Sequence, residues 1–213
     1  IGGRYSVLSE VGIVPAYLMG INIAKLRKQL RTHLYLKNHN FLKESSIKIA
    51  NLIKNEKIKN LIFFNYVPEL DKFLYWCQQL IAESLGKKGK GFLPLISTAP
   101  KDHHSLLQLY LDGPKDKLFC IFSTDSDTNI RVNSSFMGKK FNFLNKKSLS
   151  QIKKAQKNSF LQVLKKKNIP YREIIIKDFS EETLGELFSY FILETAIVGK
   201  LLKIDPFNQP AVE

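Results

Sequence analysis

The stretch Asn60-Leu61-Ile62-Phe63-Phe64 decides the fold class of this 213-residue chain. Its apolar residues follow one another without alternation, which is typical of a strand covered on both faces, as in a parallel sheet. Three similar segments lie further along, at 92–97, 117–122 and 171–177, with helical patterns between them. This alternation predicts an α/β fold: a three-layer α-β-α sandwich with a mainly parallel sheet of about five strands, preceded by N-terminal helices.

The order of these patterns divides the chain into three parts. Residues 1–42 hold a Gly-rich turn and linking helices, residues 43–202 form the α/β domain, and residues 203–213 form an extended C-terminal tail. The chain opens on Ile1-Gly2-Gly3-Arg4 without a methionine. We therefore expect it to be a fragment of a longer protein.

Composition narrows the class of protein. Hydrophobic residues make up 44% of the chain, an ordinary globular value. Cys77 and Cys120 both lie in apolar segments, which favours a reducing compartment over a disulfide framework and predicts a cytoplasmic protein. No segment has the length and apolar character of a membrane span, so no membrane association is expected.

The net charge of +14 leaves two interpretations open. The basic residues form either a solvated surface without a specific partner or a surface that steers an anionic partner. Only five of the 33 basic residues are arginines, at positions 4, 27, 31, 131 and 172. Because sequence-specific nucleic-acid sites favour arginine forks and the lysines form no stripe, we expect no nucleic-acid partner.

Glu83 is the leading candidate for chemistry. Residues 68–87 have helical periodicity, and Gln79 lies four residues before Glu83, so the two share one helix face. Apolar neighbours would strip water from the carboxylate and raise its proton affinity toward the range of a general base. An ordinary, partly exposed helical glutamate is the alternative.

Two other segments carry candidate groups. His103-His104 opens a helix after a strand, and the segments that follow the strands, including Asn65-Tyr66 ahead of the Glu83 helix, lie where open parallel sheets bind ligands. Gly3-Arg4 puts a permanently charged guanidinium on a tight turn, suited to an oxyanion. No cysteine or second histidine lies at a zinc-like spacing, so we expect no metal.

Taken together, four motifs resemble the glucose-6-phosphate isomerase family, in its bacterial form. They are Gly2-Gly3-Arg4-Tyr5-Ser6-Val7-Leu8-Ser9, Gln78-Gln79 with Glu83-Ser84 and Gly86-Lys87, His104-Ser105 with Gln108, and Asp205-Pro206-Phe207-Asn208-Gln209-Pro210-Ala211-Val212-Glu213. The resemblance runs over the whole chain but covers only the second half of a family member. The family's first sugar-isomerase domain and a catalytic lysine just beyond Glu213 would lie outside it.

The resemblance implies a function and roles for residues. Glu83 corresponds to the base that moves a proton between C2 and C1 of an open-chain sugar phosphate through a cis-enediol. His104 corresponds to the ring-opening histidine and Arg4 to the arginine that stabilises the intermediate, while Gln79, Gln209 and Gly3 are placed as substrate-binding residues. The substrates would be glucose 6-phosphate and fructose 6-phosphate, with no cofactor.

The resemblance also implies an assembly. Family members are homodimers in which the matching histidine enters the neighbour's site, so His104 is expected to serve a partner subunit. The fragment alone is expected to be inactive. Two alternatives remain, a non-catalytic sugar-phosphate-binding domain of the same fold and, from charge alone, a nucleic-acid-binding module.

Overall fold

The computed structural model describes residues 3–35, 40–126 and 129–212, without the side chains of residues 29 and 31–40. Gly2 of the first motif and Glu213 of the last lie outside the described residues. Within them, the sheet has four strands, all parallel, in the order β2-β1-β3-β4. The strands are β1 (Asn60–Asn65), β2 (Leu93–Thr98), β3 (Lys117–Thr124) and β4 (Tyr171–Ile176).

Eight α-helices connect and cover these strands in the described part of the chain. They are α1 (Glu10–Leu18), α2 (Ile23–Tyr35), α3 (Asn40–Lys54), α4 (Asp71–Leu85), α5 (Asp102–Ser105), α6 (Leu107–Asp112), α7 (Leu149–Lys166) and α8 (Glu181–Leu201). Three short 3₁₀ segments add Gly3–Leu8, Pro68–Leu70 and Lys139–Leu144.

The sheet separates two hydrophobic clusters, because successive side chains of a strand point to opposite faces. Phe63 and Phe122 contribute to one cluster together with residues of α3, α4 and α8. Phe64 and Phe119 contribute to the other, together with Phe160 of α7. The three-layer α-β-α architecture is therefore confirmed, with four strands where the sequence suggested about five.

The N-terminal helices pack onto this sandwich. Gly185 of α8 is buried, and a Cβ there would lie 1.8 Å from the carbonyl oxygen of Leu26 in α2. The two helices thus approach at backbone contact distance. The domain boundaries at residues 42 and 202 stay predictions.

The direction of α4 determines where its side chains lie relative to the sheet. Since β1 and β2 are parallel, α4 runs back from the carboxyl edge of the sheet to its amino edge. Glu83, close to the end of α4, lies roughly 18 Å along the helix axis from its first residue, at 1.5 Å per residue. Glu83 therefore lies at the amino edge, whereas Asn65-Tyr66 and His103-His104 follow their strands at the carboxyl edge.

The C-terminal tail reaches the same edge. Helix α8 follows β4 and also runs back along the sheet, so the residues after Leu201 emerge beside the end of α4. Lys87 Nζ donates to the carbonyl oxygen of Asp205 at 2.6 Å, and Lys90 Nζ to that of Leu202 at 2.8 Å. These bonds hold the tail against the loop that leaves α4.

Candidate active site

The carboxylate of Glu83 is the centre of a polar cluster at the amino edge. Oε1 accepts a hydrogen bond from Gln79 Nε2 at 2.9 Å. Oε2 accepts from Arg4 Nη1 at 3.2 Å and from Gln209 Nε2 at 2.5 Å. The side chain is 34% exposed. The carboxylate is thus surrounded by hydrogen-bond donors, rather than by the apolar groups that its flanking sequence suggested.

Arg4 connects three separate parts of the chain. Its side chain is 1% exposed, and its Nε donates to Ser84 Oγ at 2.9 Å. Nη2 donates to the carbonyl oxygens of Pro206 at 2.8 Å and Asn208 at 3.0 Å. A guanidinium has five N–H groups, and with the bond to Glu83 four of them are engaged within the described part of the chain. The fifth is on Nη1, the nitrogen that donates to Glu83.

Further side chains fix the Arg4 segment through contacts that the sequence motifs did not predict. Tyr5 donates its hydroxyl proton to Ser84 Oγ at 2.9 Å, and Trp76 Nε1 donates to the carbonyl oxygen of Arg4 at 3.0 Å. Burial raises the pKa of Tyr5 and outweighs the opposite effect of its bond to Ser84, so the phenol keeps its proton. Trp76 also packs against the hydrophobic cluster beneath α4.

An open pocket lies directly beside the cluster. Glu83 lines it together with Lys87 and Lys88 of the loop after α4 and with the tail residues Asp205, Asn208 and Gln209. The carboxylate is therefore accessible to a small ligand. The two lysines place positive charge near that ligand.

Gly3 also lies in this region. It is exposed, and a Cβ at this position would meet no atom within 4 Å. The internal packing of the described residues therefore gives no reason for a glycine at position 3.

The two histidines of α5 have different surroundings. His104 is exposed. His103 lies beside Tyr66, with 2.5 Å between its Nε2 and the phenol oxygen, and its ring stands nearly perpendicular to those of Phe64 and Phe160. Burial lowers the pKa of His103, an effect larger than the opposing one of the Asp102 carboxylate.

The structure brings most, but not all, of the predicted site residues together. Arg4, Gln79, Glu83 and Gln209 meet within one chain. His104 follows β2 at the carboxyl edge of the sheet, about 20 Å away along a six-residue strand. Glu83 and His104 of the same chain therefore lie at opposite edges.

Two other kinds of feature are absent from the described residues. Within residues 3–35, 40–126 and 129–212, no group of three or more His, Cys, Asp or Glu side chains is arranged to hold a metal ion. None of the described helices is both long enough and apolar enough to cross a bilayer.

Comparisons with known proteins place the chain beside one group of enzymes. It is 35% identical over 223 residues to the glucose-6-phosphate isomerase of Mycoplasmopsis synoviae strain 53, and 36% identical over 220 residues to that of Mycoplasmopsis pulmonis. Each alignment covers 100% of this chain and 51% of the relative. The chain thus spans about half the length of the curated relatives it matches.

Solved structures similar to this chain are likewise matched over about half of their length. A hypothetical protein from Thermus thermophilus matches with a TM-score of 0.84 at 26% identity, over 100% of this chain and 53% of its own. A glucose-6-phosphate isomerase from Chlamydia trachomatis matches with a TM-score of 0.75 at 20% identity, which supports the fold alone. No protein-family model matches. From end to end, the chain is similar to one half of the glucose-6-phosphate isomerases.

Proposed function

We propose that this chain is the C-terminal half of a glucose-6-phosphate isomerase, an aldose–ketose isomerase that interconverts glucose 6-phosphate and fructose 6-phosphate. The observation that carries the proposal is the Glu83 carboxylate, held by Gln79, Arg4 and Gln209 at the edge of an open pocket. The similarity to half of the isomerases supports the same assignment.

Glu83 acts as the base in this proposal. Its carboxylate takes the proton from C2 of the open-chain aldose, and the C1 oxygen gains a proton, which gives a cis-enediol intermediate. The carboxylic acid then returns its proton to C1 while the C2 hydroxyl loses its own, which gives the ketose. Gln79 and Gln209 hold the two carboxylate oxygens and fix their direction. A positioned base of this kind contributes roughly 10²–10⁴-fold to the rate.

Arg4 stabilises the negative charge that develops on the sugar oxygens. It is buried and permanently charged, and Nη1, which donates to Glu83, carries one further N–H. A donor fixed in advance at such a position contributes about 10²–10³-fold. The open space around Gly3 allows the substrate to approach the backbone next to Arg4.

His104 supports opening of the sugar ring in the site of a second subunit. Within one chain it lies at the opposite edge of the sheet from Glu83, too far away to share a bound hexose. Its exposure leaves it accessible to a neighbouring molecule. The proposal therefore includes a homodimer in which each subunit supplies His104 to the other.

The remaining parts of the proposal concern the cell and the substrate. The enzyme acts in the cytoplasm without a cofactor, and its positive charge attracts a phosphorylated sugar. The main phosphate contacts belong to the other half of the protein. Residues 1–213 alone are therefore expected to lack isomerase activity.

The test is Glu83→Gln in the full-length protein, with the exposed Glu69→Gln as a control for loss of the same charge. Glu83→Gln should lower the isomerisation of fructose 6-phosphate by roughly 10²–10⁴-fold. It should still bind 6-phosphogluconate, which has no aldehyde to isomerise. Near-normal turnover would overturn the assignment of the base. Sugar-phosphate binding without turnover in the unmodified protein would instead favour a non-catalytic binding domain.

A further inference from the structure

The helix that carries His104 is too short to fix its own orientation. Helix α5 has only four residues, Asp102–Ser105. A single helical turn fixes several backbone dihedrals for one hydrogen bond, so it does not persist without outside contacts. The direction of His104 must therefore be set by contacts that its neighbours in α5 make with the rest of the fold.

Asp102 ties the first residue of α5 to the end of β2. Its carboxylate is buried, and Oδ2 accepts hydrogen bonds from Ser97 Oγ and from the backbone N–H of Thr98, both at 2.8 Å. Two bonds to one charged oxygen hold the start of the helix against the strand.

His103 ties the next residue to the centre of the sheet. Its Nε2 lies 2.5 Å from the hydroxyl of Tyr66, and its ring packs edge-on against Phe64. Tyr66 directly follows β1, and its backbone N–H donates to the carbonyl oxygen of Phe122 in β3 at 3.0 Å. The contact therefore connects α5 with the two central strands.

The protonation of this pair follows from its burial. Burial raises the pKa of Tyr66 and lowers that of His103, so at neutral pH the phenol holds its proton and the imidazole is uncharged. The Tyr66 hydroxyl and Nε2 share one hydrogen bond, and the imidazole tautomer determines which of the two is the donor. With Asp102 and His103 both turned inward, His104 alone of the three is left facing solvent.

We infer that Tyr66, His103 and Asp102 are positioning residues that hold His104 in the direction needed to reach a neighbouring subunit's site. The inference rests on the proposed function, because it assigns these residues a purpose through His104. None of the three is proposed to touch the substrate.

A double-mutant cycle in the full-length protein tests the inference, using Tyr66→Phe, His104→Ala and the double variant. Tyr66→Phe keeps the aromatic ring but removes the hydroxyl that is hydrogen-bonded to Nε2 of His103, and should lower kcat/KM for glucose 6-phosphate about tenfold. In the His104→Ala background the same change should have no further effect, because the residue it positions is gone.

The control is Tyr190→Phe, which removes another buried hydroxyl, one that donates to Glu194 at 2.6 Å in the cluster on the opposite face of the sheet. It should reduce stability without any dependence on His104. Independent, multiplicative effects of Tyr66→Phe and His104→Ala would overturn the inference. So would an unchanged kcat/KM in Tyr66→Phe. If His104→Ala kept full activity, His104 would have no part in the reaction. Both the ring-opening part of the proposed function and this inference would then be refuted.

Discussion

Replacing Arg4 by lysine separates the effect of the guanidinium's hydrogen-bond geometry from the effect of its charge. Arg4 donates hydrogen bonds in three directions: to Ser84, to Glu83 and to two carbonyl oxygens of the C-terminal tail. A lysine ammonium is a single point charge on a flexible stem and cannot reproduce this fork. The positive charge beside Glu83 would remain, but the connection to the tail would be lost.

The size of the effect follows from the bonds that disappear. Two hydrogen bonds link Arg4 to the carbonyl oxygens of Pro206 and Asn208, and each is worth about 1 kcal/mol net. Local opening of the tail should therefore become easier by about 2 kcal/mol, which corresponds to roughly 30-fold faster amide exchange. The bonds from Lys87 and Gln209 remain, so the tail should loosen without detaching.

The assay is hydrogen–deuterium exchange of the full-length protein, read by mass spectrometry over residues 204–212 and over β1 as an internal reference. Arg131→Lys is the matched control, since Arg131 is exposed and donates a hydrogen bond to the carbonyl oxygen of Lys146, far from the tail in sequence. Isomerase activity of Arg4→Lys should also fall, by about 10²-fold. Unchanged exchange in the tail would refute the conclusion that the Arg4 fork holds it.

Two further predictions concern the scaffold. Gly185→Ala should lower the free energy of unfolding by about 1–3 kcal/mol, because its Cβ would press on the Leu26 carbonyl and separate α2 from α8. The control Glu186→Ala, on the exposed side of α8, should change the free energy of unfolding by less than about 0.5 kcal/mol. Equal denaturant midpoints for the two variants would contradict this packing. His103 has a lowered pKa in the folded state, so the unfolded chain binds its proton first and stability should decline as pH falls below about 6.5, the ordinary histidine value. The decline should be shallower in His103→Gln, as measured by urea unfolding between pH 7 and pH 5, and identical slopes would refute the assignment.

Much of the fold follows from local sequence pattern. The run 60–64 indicated a doubly covered strand, and β1 is buried in the middle of the sheet with helices on both faces. Helix α4 was predicted over 68–87 and extends from Asp71 to Leu85. These elements were predictable because burial determines the spacing of their apolar residues, and that spacing can be read from the sequence.

The arrangement of the site was less predictable from the residues alone. The pairing of Gln79 with Glu83 follows from helical spacing, but the meeting of Arg4 with Ser84 joins residues 80 positions apart. By contrast, the edge of the sheet at which Glu83 lies follows from the predicted alternation, because a helix between two parallel strands runs back to the amino edge. Spacing along one helix is local information, whereas contacts between segments depend on the assembled fold.

The central claim is that a complete site combines Glu83 of one subunit with His104 of another. Co-expression of full-length Glu83→Gln and His104→Ala chains tests it most directly, since each variant alone should be nearly inactive. A random mixture should recover up to about a quarter of the unmodified activity, because half of the dimers are hybrids and each hybrid contains one intact site. Activity that never exceeds the sum of the two separate variants, in a mixture shown to contain hybrids, would contradict the account.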